Sequence, residues 1–256
     1  MILHPVERGM VAIPQSAHAF LAYQVADHWG NRTTPRPSPR AEVLAGVMLH
    51  DIGWDGREDP PRLGPSGLPI AFDTLPEAER EALWTAAVER AALRGRYVAY
   101  LVSHHVSMLA TLHARQGHPE FLSREEARRA RLRAELAADT RYAAAFRGRN
   151  DEVNRAVVRL ADEIGVQLSR GGGGRLALHA LPQREGAVTG WLEAVGARVY
   201  RLRPWPLIGR RLDLHAEGRL LAGARFADET ELRAAWAAAP QVRLSWTLLA
   251  PGTARD

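Results

Sequence analysis

The hydrophobic period of this chain changes from helical to strand-like at "SRGGGGR", residues 169–175. From about residue 14 to 170, apolar residues recur at i, i+3, i+4 and i+7, the spacing of one helix face. After the glycines, "ARVYRLRPWPL", "RRLDLHAEGRLL" and "QVRLSWTLL" alternate like half-buried strands, with the short helical segment "DETELRAAWAAA" between the last two. A period of 3.6 cannot sit still as a strand, nor a period of 2 as a helix. The chain is therefore expected to be mainly α with an added antiparallel β-sheet, an α+β fold. Residues 14–170 form the helical core in this reading, and residues 1–13 with 175–256 form a β-rich region packed on it. The opening "MILHPVERGMVAI" reads as two short strands, and it is expected to join the later sheet because a lone hairpin is marginal.

Within the core, the pattern predicts helices over about 14–29, 39–52, 74–93 and 96–116, a fifth beginning at Ser123, and a sixth over about 150–168. Ser38 before Pro39, Thr74 with Glu77, Ser123 with Glu126, and Asn150 supply the start signals. Residues 53–73, "GWDGREDPPRLGPSGLPIAFD", have no period and carry aromatic residues at both ends, so this loop is expected to pack down.

Composition narrows the function classes. The 256 residues include no cysteine, which excludes disulfides and thiolate metal sites. No run is long and apolar enough for a membrane span, and the N-terminus lacks the pattern of a signal peptide, so a cytoplasmic protein is expected. The formal charge is +5 and all 34 basic residues are arginine. Those from Arg124 to Arg133 alternate with glutamates and read as a solvated helix face, so nucleic acid is disfavoured as a partner. A small-molecule substrate is expected instead, and a homo-oligomer is compatible with the sequence.

Polar residues interrupt the apolar stripes at several points. His18 lies on the stripe of Leu21, Ala22, Val25 and Trp29. His50 and Asp51 lie three and four residues after Val47. His104 follows Tyr97, Tyr100 and Leu101, His105 lies on the adjoining stripe, and Asp162 sits between Val158 and Val166. Glu163 falls on the solvated face. A single inward histidine is usually a hydrogen-bonded core residue. Four helices each sending a histidine or aspartate inward are different, because buried charge is costly unless paired or bound to metal. Imidazoles with carboxylates make a nitrogen/oxygen site for a divalent ion. His104 is expected to face that site, with His105 turned about 100° further round the helix, though a rotated helix would exchange the two roles.

The order His18, His50-Asp51, His104 or His105, Asp162 resembles the H…HD…H…D signature of the HD-domain superfamily. Those proteins are helical and hold one or two metal ions. Many hydrolyse phosphate esters and a few are di-iron oxygenases. More narrowly, "IPQSAHAFLAYQVADHWG", "HDIGWDGREDPPRLGPSGLPIAFDTLP", "YVAYLVSHH", "ADEIGVQL" and "RLRPWPL" resemble a bacterial family related to HD domains that carries no assigned activity. The resemblance implies His18, His50, Asp51, His104, His105 and Asp162 as candidate metal ligands, for one or two divalent ions among iron, manganese, magnesium and zinc. Two-ion members have two separated histidines between the doublet and the last aspartate. Here nothing from Trp54 to Ser103 is histidine, and His113 and His118 lie near a helix end, so one ion fits better than two.

Three readings follow. The first is a phosphohydrolase in which a metal-activated water attacks phosphorus, Asp51 orients that water, and Arg57 steadies the phosphoryl oxygens. Lysine is absent, so arginine must take that last role. Trp54, Asp55, Arg57 and Glu58 would form the rim of the pocket. The second is a di-iron oxygenase. The third is a protein that binds a metal or ligand without catalysis.

Overall fold

The computed structural model describes residues 1–113, 117–223 and 225–254. Among them are a two-stranded hairpin, β1 (Ile2–Val6) and β2 (Gly9–Ile13), and six helices: α1 (Gln15–Asp27), α2 (Arg40–Met48), α3 (Glu77–Ala92), α4 (Arg96–His113), α5 (Pro119–Ala138) and α6 (Asn150–Arg170). Then come β3 (Arg175–Pro182), β4 (Ala187–Gly196), β5 (Val199–Arg203), β6 (Arg211–Leu221), α7 (Glu229–Ala238) and β7 (Gln241–Leu249). The α+β expectation holds. The strands form one seven-stranded sheet in the order β1-β2-β6-β7-β5-β4-β3, so the N-terminal hairpin does join it. Every pair is antiparallel except β5 with β7, which is parallel. The sheet is therefore mixed, a detail that strand periodicity cannot show.

Alternation explains how the sheet lies on the helices. Along β6, Leu212, Leu214 and Ala216 are buried while Arg211, Asp213 and Glu217 are exposed. The inward residues meet α1 and α6, and one apolar cluster runs from Ile13, Leu21 and Val25 through Val157, Leu160 and Ile164 to Leu192, Leu202 and Leu248. α2 and α4 pack beyond α1 and α6, also in this cluster. α3 and α5 lie outermost, over Val98, Val102 and Val106 of α4. The long 53–73 segment packs down as expected: Phe72 donates its N–H to the Met1 carbonyl at 3.0 Å.

Several helix boundaries differ from the sequence reading. α5 starts at Pro119, four residues before Ser123, because proline suits a first turn whose N–H groups have no intrahelical partner to lose. Thr74 does not cap α3; its hydroxyl closes a turn with Ala71 instead, at 3.0 and 3.1 Å. α2 ends at Met48 and not near Ile52. The His50-Asp51 doublet thus stands just past the helix, before a short 3-10 turn, Ile52–Trp54. α6 stops where Gly171 takes a left-handed φ of 66°. The predicted end of α4 near residue 116 and the side chain of His113 lie outside the described residues.

Candidate metal centre

The early end of α2 builds the first half of the site. Once the helix stops, the Val47 carbonyl loses its helical donor. The His50 Nδ1–H takes that place at 2.6 Å. This bond turns Nε2 inward toward the cluster, as an outer hydrogen bond orients a metal-binding histidine. The following turn is clamped by Gly53, where a Cβ would lie 2.1 Å from the Leu83 carbonyl oxygen of α3.

α4 supplies a second imidazole by register. Leu101 packs on Gly46 of α2, with its Cδ1 3.2 Å from where a Cβ would stand. One turn further on both chains, His105 meets His50, ring centroids 4.9 Å apart. α6 and α1 close the cluster. Gly165 lets the His18 ring lie against α6, and one turn earlier Asp162 accepts from His18, Nε2 to Oδ1 at 2.9 Å. The other separations are 3.2 Å from His50 Nε2 to Asp51 Oδ2, 3.4 Å from His50 Nε2 to Asp162 Oδ1, and 3.7 Å from His105 Nε2 to Asp162 Oδ2. His18, His50 and Asp162 are all buried, and their donor atoms lie within 4.8 Å of one another.

This group could hold a metal ion. Ligand atoms bound at 2.0–2.2 Å around a tetrahedral ion stand about 3.4 Å apart, and the four separations bracket that value. The donors are nitrogen and oxygen only. Both ring nitrogens of His105 are buried without a hydrogen-bond partner, the condition that a bound cation would relieve. Burial disfavours a charged His50, but the Asp51 and Asp162 carboxylates outweigh it and raise its pKa well above 6.5. Burial also opposes the Asp162 carboxylate, yet the bonds from His18 and His50 hold it well below its ordinary 3.8. Asp51 is lowered by His50 against the same opposition. His105 is pushed down to about 4 by burial and stays neutral. In the metal-free protein the His50 proton is thus the cation between two carboxylates.

Of the candidate residues, His18, His50, Asp51, His105 and Asp162 come together. His104 does not, which corrects the expected order of the two adjacent histidines. The stripe of Tyr97 and Tyr100 is turned toward Phe146 and Asp151, away from α2, and His104 follows it; its ring stands edge-on to Tyr100 at 4.7 Å. Burial and the nearby Arg155, Arg129 and Arg133 lower its pKa to about 3. Arg57 is a second correction: it is exposed and lines a small hollow with Pro61, away from the cluster. The chain turns aside at Gly56, φ 77°, so that of the expected rim only Trp54 faces the cluster. Asp55 is exposed, and Glu58 turns inward to the Met1 amino group and the Gln15 N–H. His118 sits far along the chain beside Glu77 and Glu81, at 3.6 and 3.4 Å.

Asp51, His105 and Asp162 floor a cleft of about 120 Å³. Its walls carry Trp54, Phe72 and Trp84, with Gln15, Arg80 and Arg170 as further polar groups. Arg80 donates to the Leu75 and Asp73 carbonyls at 3.1 and 3.0 Å. Arg170 donates to Asp73 Oδ2 at 2.7 Å and lies over the Phe72 ring. Sequence reasoning missed these three. Arg170 was readable, since Asp162, Val166 and Arg170 share one face at i, i+4 and i+8; Gln15 likewise precedes His18 by three. Arg80 carried no such signal.

A family model with the description "Protein of unknown function (DUF3891)" matches residues 1–223. No curated protein and no solved structure matches the chain.

Proposed function

The chain belongs to that family of unknown function, and from this premise we propose that it is a metal-dependent hydrolase acting on a small phosphoester, in the manner of the HD-domain proteins whose motif order it resembles. The observation that carries the reading is the convergence of His18, His50, His105 and Asp162 from four elements on one buried point beside a cleft with fixed arginines. His18, His50 and Asp162 would hold the ion, with His105 and Asp51 beside them. A divalent ion there supplies Lewis-acid activation of water at neutral pH.

The remaining roles belong to the chain. Asp51, ionised and facing the cleft, accepts the proton of the attacking water. Arg80 and Arg170 take the place expected of Arg57 and hold the non-bridging phosphoryl oxygens, a task for which the planar guanidinium is suited. Their partners in Asp73, Leu75 and Phe72 keep them in position before substrate arrives. The cleft is smaller than the 300–1,000 Å³ of ordinary ligand sites, which favours a phosphoryl head group with the leaving group outside. His104 turns from Asp162, so the ligands present favour one ion over the pair an oxygenase needs.

The test is elemental analysis of the purified protein, followed by a screen of generic phosphomonoesters and diesters with the metal found. The expected result is about one ion per chain and turnover that Asp51→Asn abolishes. Metal below about 0.1 per chain after reconstitution, or turnover untouched in Asp51→Asn, would overturn the proposal.

A further inference from the structure

A second cavity, of about 550 Å³, lies on the other side of α4 and shares only His105 with the cleft. Its size is within the range of ordinary ligand sites. Arg129 of α5, Arg149 just before α6, and Arg155 and Arg159 in the first half of α6 line it, together with His104. Three of these four arginines are ion-paired and one is not. Glu163 pairs with Arg159 at 2.6 Å and Glu152 with Arg149 at 3.2 Å, while Asp151 is shared by Arg155 and Arg133 at 3.3 and 3.1 Å. Arg129 has no carboxylate within ion-pair distance among the described residues. Its guanidinium is instead held by the Ser103 carbonyl at 3.2 Å and by the Ser107 hydroxyl. This cation is kept in place without a direct ion pair, with Glu125 and Glu126 of the preceding turn acting on it only through space.

Two further features point the same way. The cavity reaches the first turn of α6, where the helix dipole favours an anion and where the resident Asp151 and Glu152 are each ion-paired to arginine. His105, only 4% exposed, lines the cavity and carries an unpartnered ring Nδ1. From these observations we infer that the cavity is a binding site for a small polyphosphate group, distinct from the hydrolytic cleft. Several guanidiniums from two helices suit a ligand with more than one negative charge, and arginine binds phosphate oxygens in bidentate fashion. The group is either free or the phosphate end of a nucleotide. The inference does not depend on catalysis, and its test needs no turnover.

The test is calorimetric titration of the purified protein at low salt with inorganic pyrophosphate and, separately, with adenosine diphosphate. Any binding in the hydrolytic cleft is removed by Arg80→Gln, and the site of interest is the one that persists in that variant. Arg129→Gln should weaken it at least tenfold, whereas Arg80→Gln in the cleft should change it less than twofold. Because Arg129 also ties α5 to α4, Arg155→Gln is the second variant; its side chain is 37% exposed, and Asp151 keeps Arg133 as a partner without it. It should weaken binding about threefold or more. Equal affinity for the two probes supports a site for the phosphates alone, and tighter adenosine diphosphate supports a nucleotide site. Absence of binding, or a loss that follows Arg80→Gln and spares both Arg129→Gln and Arg155→Gln, overturns the inference.

Discussion

Gly165→Ala should weaken a helix that the same change would ordinarily strengthen. In a free helix interior, alanine is worth about 0.8–1.0 kcal/mol over glycine. At Gly165 the new Cβ would stand 2.9 Å from His18 Cε1 and 3.2 Å from Nδ1. Ordinary contact begins at 3.4 Å, so the ring must retreat by 3.4 − 2.9, about 0.5 Å. Overpacking a tight site costs about 1–3 kcal/mol. The balance is a net loss of about 1 kcal/mol, or roughly 2–4 °C in a chain of this size. The larger effect falls on the metal, because the retreat carries His18 Nε2 away from the point it shares with His50 and Asp162. Displacing a ligand's support typically costs 10–100-fold in affinity, so about a tenfold weaker metal Kd is expected. Thermal melts with and without added metal, plus a metal titration, read both quantities. A melting temperature that rises by 2–4 °C with unchanged metal affinity would refute the reasoning.

Other expectations follow from the same geometry. Asp162→Ala removes the carboxylate that all three imidazoles approach, and metal occupancy by elemental analysis should fall more than tenfold. Metal binding near pH 7 should release about one proton, chiefly from His50, whose raised pKa keeps it charged in the metal-free protein; titration in buffers of different ionisation enthalpy measures this. His104 protonates near 6.5 in the unfolded chain but only at about 3 in the fold. Between these values the unfolded state binds more protons, so its contribution to stability falls as pH drops from 6.5 toward 3, and His104→Gln should flatten the acid side of a melting-temperature profile. Arg170→Gln removes a charge-assisted contact worth about 1.5–3 kcal/mol, so kcat/KM for a phosphoester should drop roughly 10–100-fold while metal content holds.

What the sequence shows and hides has physical reasons. Periodicity exposes His18, His50, Asp162 and the helix-to-sheet change, because burial on a regular element leaves a regular trace. It places His104 and His105 on adjoining stripes but cannot say which stripe faces α2. That is decided by Leu101 settling on Gly46, a contact between helices. The β3–β4 hairpin goes unread because its alternation breaks at a bulge between Leu178 and Leu181, where Ala180 has a φ of 50°. Arg57 looked well placed only as long as the loop was assumed to continue along the cleft. Arg80 reaches the cleft through the docking of α3, which no local pattern encodes.

The short length of α2 limits how this chain can evolve. The Val47 carbonyl, near its end, orients the His50 ring. A lineage that lengthened the helix by one turn would add backbone bonds and lose that setting, so local helix stability and the geometry of the histidine–aspartate cluster are opposed here. Insertions or deletions between Leu49 and Gly53 should therefore be absent from functional descendants. The exposed stretch a few residues later, around Gly56, has open space about it and is free to vary in length. Drift in this family should be tightly held on one side of the 3-10 turn and loose on the other.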